Sequence, residues 1–191
     1  LARYPLSLGY LAGAVKKHTT WDVMAYNADF VPKSEVIKNS YMTGMGFENY
    51  LDSLKDLSMP VWKEIRSTIL EYKPSVLGIS AMSCNFASGR IVAKLAKEVN
   101  KDIIVIAGGP HPSMVAKETL KCMDIDISVK GEGEQTIVEL LKAIEAQRDI
   151  GSIKGISYRR NGKILENTKR EYIKDLDGLP FPHESASEVL K

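Results

Sequence analysis

Three short apolar runs in the middle of the chain set its pattern. They are Val76-Leu77-Gly78-Ile79-Ser80, Ile103-Ile104-Val105-Ile106-Ala107 and Ile125-Asp126-Ile127-Ser128-Val129. Each is rich in β-branched residues and too short for a helix, so each predicts a strand. Each opens onto small or charged residues: Ala81-Met82-Ser83, Gly108-Gly109-Pro110-His111-Pro112, and Lys130-Gly131-Glu132-Gly133-Glu134. After each turn apolar residues return at helical spacing. Residues 86–99 carry Ile91, Leu95 and Val99 beside Val92 and Ala96; residues 113–123 follow with Ser113 as N-cap; residues 134–146 carry Ile137, Val138, Leu140, Leu141 and Ile144. Strand, turn and helix in repetition predict a parallel sheet with crossover helices. Ligands bind such sheets at the carboxyl ends of the strands, so the three turns are where function is sought.

The flanks are less regular. Residues 5–18 predict a helix, with Leu8, Leu11, Ala12 and Val15 on one stripe and Lys16, Lys17 and His18 at the end that favours positive charge. Residues 21–26 are a strand candidate with imperfect alternation. Residues 27–46 read as a surface loop or, more sharply, a lid. Residues 47–57 and 60–72 predict helices, the second closed by Pro74. Beyond Arg148, residues 156–160 and 163–166 predict a hairpin about Asn161-Gly162, the preferred two-residue turn. Residues 172–183 are extended and proline-bearing, as in a linker. The organisation expected is an α/β domain over 1–150, a hairpin over 151–171 and a linker over 172–191.

Composition narrows the classes. With 26 basic and 24 acidic residues, the net charge of +2 gives no electrostatic case for nucleic acid. No apolar run approaches the roughly 20 residues of a membrane span, so no membrane partner is expected. Cys84 and Cys122 are too few for a disulfide framework or a zinc site, which points to a reducing cytoplasm. Both read as small buried hydrophobes, and Met82, Met114 and Met123 as core filling. The chain starts at Leu1 rather than Met and reads as part of a longer protein, with a first strand expected upstream.

Candidate chemistry is sparse. Gly108-Gly109 either lets backbone approach a ligand or makes a tight turn. Gly131-Glu132-Gly133-Glu134 offers backbone N–H groups to a polar ligand, but lacks the Lys-Ser/Thr of a P-loop. His111 is a lone histidine, and no catalytic triad or metal-ligand spacing is present. These residues give an α/β ligand-binding domain and no reaction.

The ordered set Pro5-Leu6-Ser7-Leu8-Gly9-Tyr10, Gly78-Ile79-Ser80, Gly108-Gly109-Pro110-His111, Gly131-Glu132-Gly133-Glu134 and Leu179-Pro180-Phe181-Pro182 resembles the N-terminal B12-binding domain of cobalamin-dependent radical SAM enzymes. That family includes methyltransferases and the anaerobic Mg-protoporphyrin monomethyl ester cyclase. The resemblance implies a flavodoxin-like, Rossmann-like sheet and cobalamin held by Ser80, Ala81, Met82, Ser83, Gly108, Gly109, Pro110, His111, Gly131, Glu132 and Gly133. It implies that Ser80 or Ser83 bonds the dimethylbenzimidazole tail and that the glycine pair lets the tail slide in. It further implies a C-terminal radical SAM domain with a [4Fe–4S] cluster and S-adenosylmethionine, absent from this chain, so that the chain is not catalytic alone. The Asp-x-His-x-x-Gly motif of methionine synthase-type domains, whose His ligates cobalt, does not occur here. The alternative is a non-catalytic flavodoxin-like ligand-binding or signalling module.

Overall fold

The computed structural model describes residues 6–26 and 45–182. Among them a five-stranded sheet has the order β1 (Val76–Ser80), β2 (Ile104–Gly108), β3 (Ile127–Val129), β4 (Ile156–Arg160), β5 (Lys163–Glu166). The first three strands are parallel, with Val76 opposite Ile104 and Ser80 opposite Gly108. The Asn161-Gly162 turn forms as expected, both residues having positive φ (51° and 74°), and its hairpin continues the sheet by antiparallel pairing of Ile156 with Val129. The fold is thus α/β, with a parallel core and an antiparallel margin.

Helices cover both faces. On one side lie α3 (Pro60–Tyr72) and α4 (Phe86–Val99), whose Trp62, Ile65, Ile69, Ala93 and Ala96 pack on Val105 and Ala107. Removing a side chain such as Ile65 from water stabilises the fold by about 2–3 kcal/mol. Helix α2 (Met45–Lys55) joins this side through Trp62, whose Nε1–H donates to Ser53 O at 2.7 Å. On the other side α7 (Glu134–Glu145) buries Leu140 and Ala143 against Ile106, Val129, Ile156 and Tyr158. Helix α1 (Leu6–His18) packs on α7.

Several expectations change. Residues 21–26 are not a strand: only Ala25 makes an isolated bridge. Local bonds from Trp21 N–H to Thr19 Oγ1 and from Val23 N–H to Asp22 Oδ1 give the backbone partners other than a ladder. Of the loop or lid over 27–46, residues 27–44 lie outside those described, and Met45 and Gly46 already belong to α2. The helix expected over 113–123 is instead two short ones, α5 (Pro110–Met114) and α6 (Ala116–Thr119). Pro110 starts the first, and Val115, at φ −135° and ψ 51°, separates them. Ser113 therefore lies inside α5 and is not an N-cap. Strand β3 starts only at Ile127, because Asp126 turns its carboxylate onto Val105 N–H at 2.7 Å and Lys97 Nζ at 2.7 Å.

Cys84 is exposed and Cys122 half-buried, not core residues. Met82, Met114 and Met123 are also exposed, at 49%, 81% and 70%. All of these except Cys122 and Met123 sit beside the strand-end turns rather than under the sheet. No helix among the described residues is long and apolar enough to cross a membrane.

Candidate functional site

The three turns after β1, β2 and β3 meet at one edge and are joined by hydrogen bonds. Ala81 N–H donates to Gly108 O (2.8 Å), and His111 N–H donates to Ala81 O (3.1 Å). The Ser113 hydroxyl donates to Gly109 O (2.8 Å) and accepts from Gly131 N–H (3.0 Å), tying the second turn to the third. Asn85 Oδ1 accepts from Met82 N–H at 2.8 Å and closes the first turn ahead of α4. The residues expected at the site thus come together, and each of these joints uses at least one main-chain group.

Gly109 and Gly108 have different surroundings. Gly109 has φ +99°, and a Cβ there would lie 2.8 Å from Ala81 O and 3.1 Å from Ala81 N. Its bare backbone is needed for one turn to seat on another. A Cβ at Gly108 would meet only Val129 Cβ, at 3.9 Å. By strand alternation and register, Gly108 shares the α7 side of the sheet with Ser80 and Gly78. Gly78 is exposed, and a Cβ added to it would meet nothing within 4 Å. Three small residues therefore make an open recess on a sheet face that is otherwise apolar, with Ile104 and Ile106 beside it. Gly78 was not among the expected site residues. A glycine inside a run of Val, Leu and Ile was its signal in the sequence.

Ser83 and His111 face each other across the first two turns, with Nδ1 and Oγ 3.1 Å apart. The imidazole also stacks on Phe86, at 4.1 Å between centroids and 27° between planes. The sequence marks Phe86, too, only as the start of a helix. Met82 and Pro110 are exposed at the rim and Ala81 is buried beneath it.

The third turn is partly engaged by the protein itself. Gly131 N–H is bonded to Ser113, and Glu132 Oε2 accepts from Ile173 N–H at 2.6 Å. A Cβ at Gly133 would touch Leu11 Cδ2 at 3.0 Å, so this glycine lets α1 close on the start of α7. Beside the turn, Lys130 Nζ lies 2.6 Å from Glu166, and that bond holds the Glu166 carboxyl below its ordinary value. Among the described residues no three His, Cys, Asp or Glu side chains converge as metal ligands. Two clefts lie away from the strand ends. One of about 390 Å³ is lined by Lys169, Arg170 and Tyr172, and one of about 240 Å³ by Trp21, Tyr72 and Pro74. Neither touches the joined turns, whose small residues form an open shelf rather than an enclosed cavity.

The chain is similar to several known proteins. The chain is 35% identical over 122 residues to an uncharacterized methyltransferase of Pyrococcus horikoshii, covering 63% of this chain and 27% of that protein. It is 32% identical over 123 residues to the cobalamin-dependent radical SAM methyltransferase TokK of Streptomyces tokunonensis, covering 63% of this chain and 18% of that one. The chain thus spans about a quarter or less of these relatives. In fold it matches the radical S-adenosylmethionine methyltransferase TsrM of Kitasatospora setae, solved with cobalamin and a [4Fe–4S] cluster. That match has a TM-score of 0.62 at 15% identity, over 92% of this chain and 28% of that one. These relatives do not favour a signalling module. The B12 binding domain family model runs over residues 3–141, through all three turns, and the chain belongs to that family.

Proposed function

We propose that this chain is the cobalamin-holding part of a longer radical SAM protein, and that the cofactor's tail lies in the recess of Gly78, Ser80 and Gly108. The observation that carries this is the recess itself. It is open where side chains are missing, bordered by apolar residues and supplied with one exposed hydroxyl. A flat heteroaromatic ring with one hydrogen-bonding nitrogen suits such a surface: the glycines admit its face and Ser80 Oγ–H meets the nitrogen. The residues present therefore fit cobalamin. Ala81, Gly109 and the bonded backbone beneath them hold the shelf in shape, while Met82, Ser83, Pro110 and His111 form its rim. Gly131, Glu132 and Gly133 close the far side.

When bound, cobalamin supplies a cobalt centre able to carry and donate a methyl group, or to take part in cyclase-type chemistry. The protein's task here is to bind that group, orient it and leave its exposed face towards a partner domain. The domain we propose there is a C-terminal radical SAM domain carrying a [4Fe–4S] cluster and S-adenosylmethionine, reached through residues 172–191. Residues 1–150 form the cofactor domain and 151–171 the hairpin that widens its sheet. The cytoplasm is the compartment proposed, in keeping with two unpaired cysteines, one of them exposed.

Titration of hydroxocobalamin into the protein, followed by visible absorbance and calorimetry, tests this reading. Saturable uptake at one site is expected. Absence of saturable uptake overturns it.

A further inference from the structure

One imidazole joins the turns after β1 and β2. His111 Nδ1 is 3.1 Å from Ser83 Oγ, its ring stacks on Phe86 at 4.1 Å, and its own N–H is bonded to Ala81 O at 3.1 Å. The side chain is half-buried, and its Nε2 has no partner among the described residues. An imidazole held at one nitrogen presents the other in a fixed direction, as in sites where the second nitrogen meets a ligand. Ser83 is exposed, with no second hydrogen bond to dictate its hydroxyl's direction among the described residues. It is free to donate to Nδ1, which leaves the proton on Nε2, the tautomer histidine side chains favour in water.

We propose that His111 is a cofactor-binding residue whose Nε2–H donates to an oxygen acceptor at the periphery of bound cobalamin, and that Phe86 is the positioning residue that sets the ring's plane. The acceptor is a phosphodiester oxygen of the nucleotide loop or a carbonyl oxygen of a corrin amide. The proposal rests on the cobalamin reading above. It assigns His111 a donor's role at the cofactor's edge and not a ligand's role at cobalt.

The test compares cobalamin and cobinamide, which lacks the nucleotide loop, on the wild-type protein and on His111→Ala, His111→Gln, His111→Asn and Phe86→Leu. Denaturation midpoints confirm that each variant is folded. A glutamine amide nitrogen reaches close to the place of Nε2, whereas an asparagine amide nitrogen falls nearer Nδ1. His111→Ala and His111→Asn are expected to bind cobalamin about tenfold more weakly, the loss of one hydrogen bond. His111→Gln is expected to regain most of that loss, and Phe86→Leu to weaken binding by about threefold at most, since it loosens the ring without removing it. A loss confined to cobalamin identifies the phosphodiester; an equal loss for cobinamide identifies an amide carbonyl. Wild-type binding with His111→Ala equal to it for both ligands overturns the proposal, as does equal weakening by Gln and Asn. Failure of the wild type itself to bind is a different result, and falls on the cobalamin reading.

Discussion

Gly109 and Ala81 pack backbone on backbone: a Cβ at Gly109 would stand 2.8 Å from the Ala81 carbonyl oxygen. The contact seats the turn after β2 on the turn after β1, and the bonds of Ala81 N–H to Gly108 O and His111 N–H to Ala81 O fix it from both sides. Gly109 also has φ 99° and ψ −172°, a region nearly closed to other residues. Gly109→Ala therefore adds backbone strain to a clash with main-chain atoms that have no rotamer to escape into. A loss of about 2–4 kcal/mol is expected in urea denaturation. An unchanged midpoint would show that the turns are not locked in this way.

Gly78 predicts the opposite behaviour. It lies on the outermost strand of the sheet among the described residues, has open space where a Cβ would go, and shares its face with Ser80 and Gly108. Gly78→Phe should leave stability within about 1 kcal/mol of wild type, because glycine itself weakens a strand by a similar amount. The same substitution should weaken cobalamin binding by at least about tenfold if the recess holds the tail. Binding as tight as wild type in a folded Gly78→Phe protein removes the recess from the site.

These two glycines mark how far the sequence could be read. Strand β1, helices α3 and α4 and the Asn161-Gly162 hairpin all form where the pattern put them, because period, proline and turn chemistry act locally. The convergence of the three turns was legible too, since it follows from parallel strands. What each turn residue does was not legible. The sequence leaves Gly109 open between ligand approach and a tight turn, and the structure packs it in a tight turn against Ala81, 28 positions earlier. The sequence predicts Ser113 as a helix cap, yet its hydroxyl links Gly109 to Gly131. The stacking of Phe86 on His111 likewise joins residues that no local period connects. Such pairings depend on register between strands, and a single sequence carries no record of register.

The hairpin's outer strand carries a charge test. Glu166 sits 2.6 Å from Lys130 Nζ and 3.6 Å from Lys117 Nζ, and the bond from Lys130 leads in holding its carboxyl below the ordinary 4.5. A carboxyl depressed in the folded state binds its proton less readily there than in the unfolded chain. Its contribution is therefore present above the unfolded value and is lost as pH falls through the folded one. A carbon-13 titration of Glu166 should have its midpoint below 4.5, and Lys130→Met should move that midpoint upward. A midpoint that does not respond to Lys130→Met would mean that the pair is screened by solvent.

The segment after the hairpin is held to the site it leaves. Glu132, within the third turn, accepts Ile173 N–H at 2.6 Å. Three residues earlier, Arg170 bonds Thr136 Oγ1 at 2.9 Å and pairs with Glu139 on α7. Farther on, Lys17 of α1 donates to Gly178 O at 3.1 Å. This segment thus takes its bearing from the same turn that closes the shelf, and the partner domain proposed above would inherit that bearing. Glu132→Ala removes the acceptor of the Ile173 amide while leaving the sheet and both helix layers intact. Hydrogen exchange at Ile173 should accelerate on the order of tenfold, as for the loss of one charge-assisted bond. Tryptic cleavage after Lys174 should quicken with it, and the global unfolding midpoint should stay near that of wild type. Exchange at Ile173 as slow as before would show that Arg170 alone holds the segment, and the double variant Glu132→Ala/Arg170→Ala would then be needed to release it.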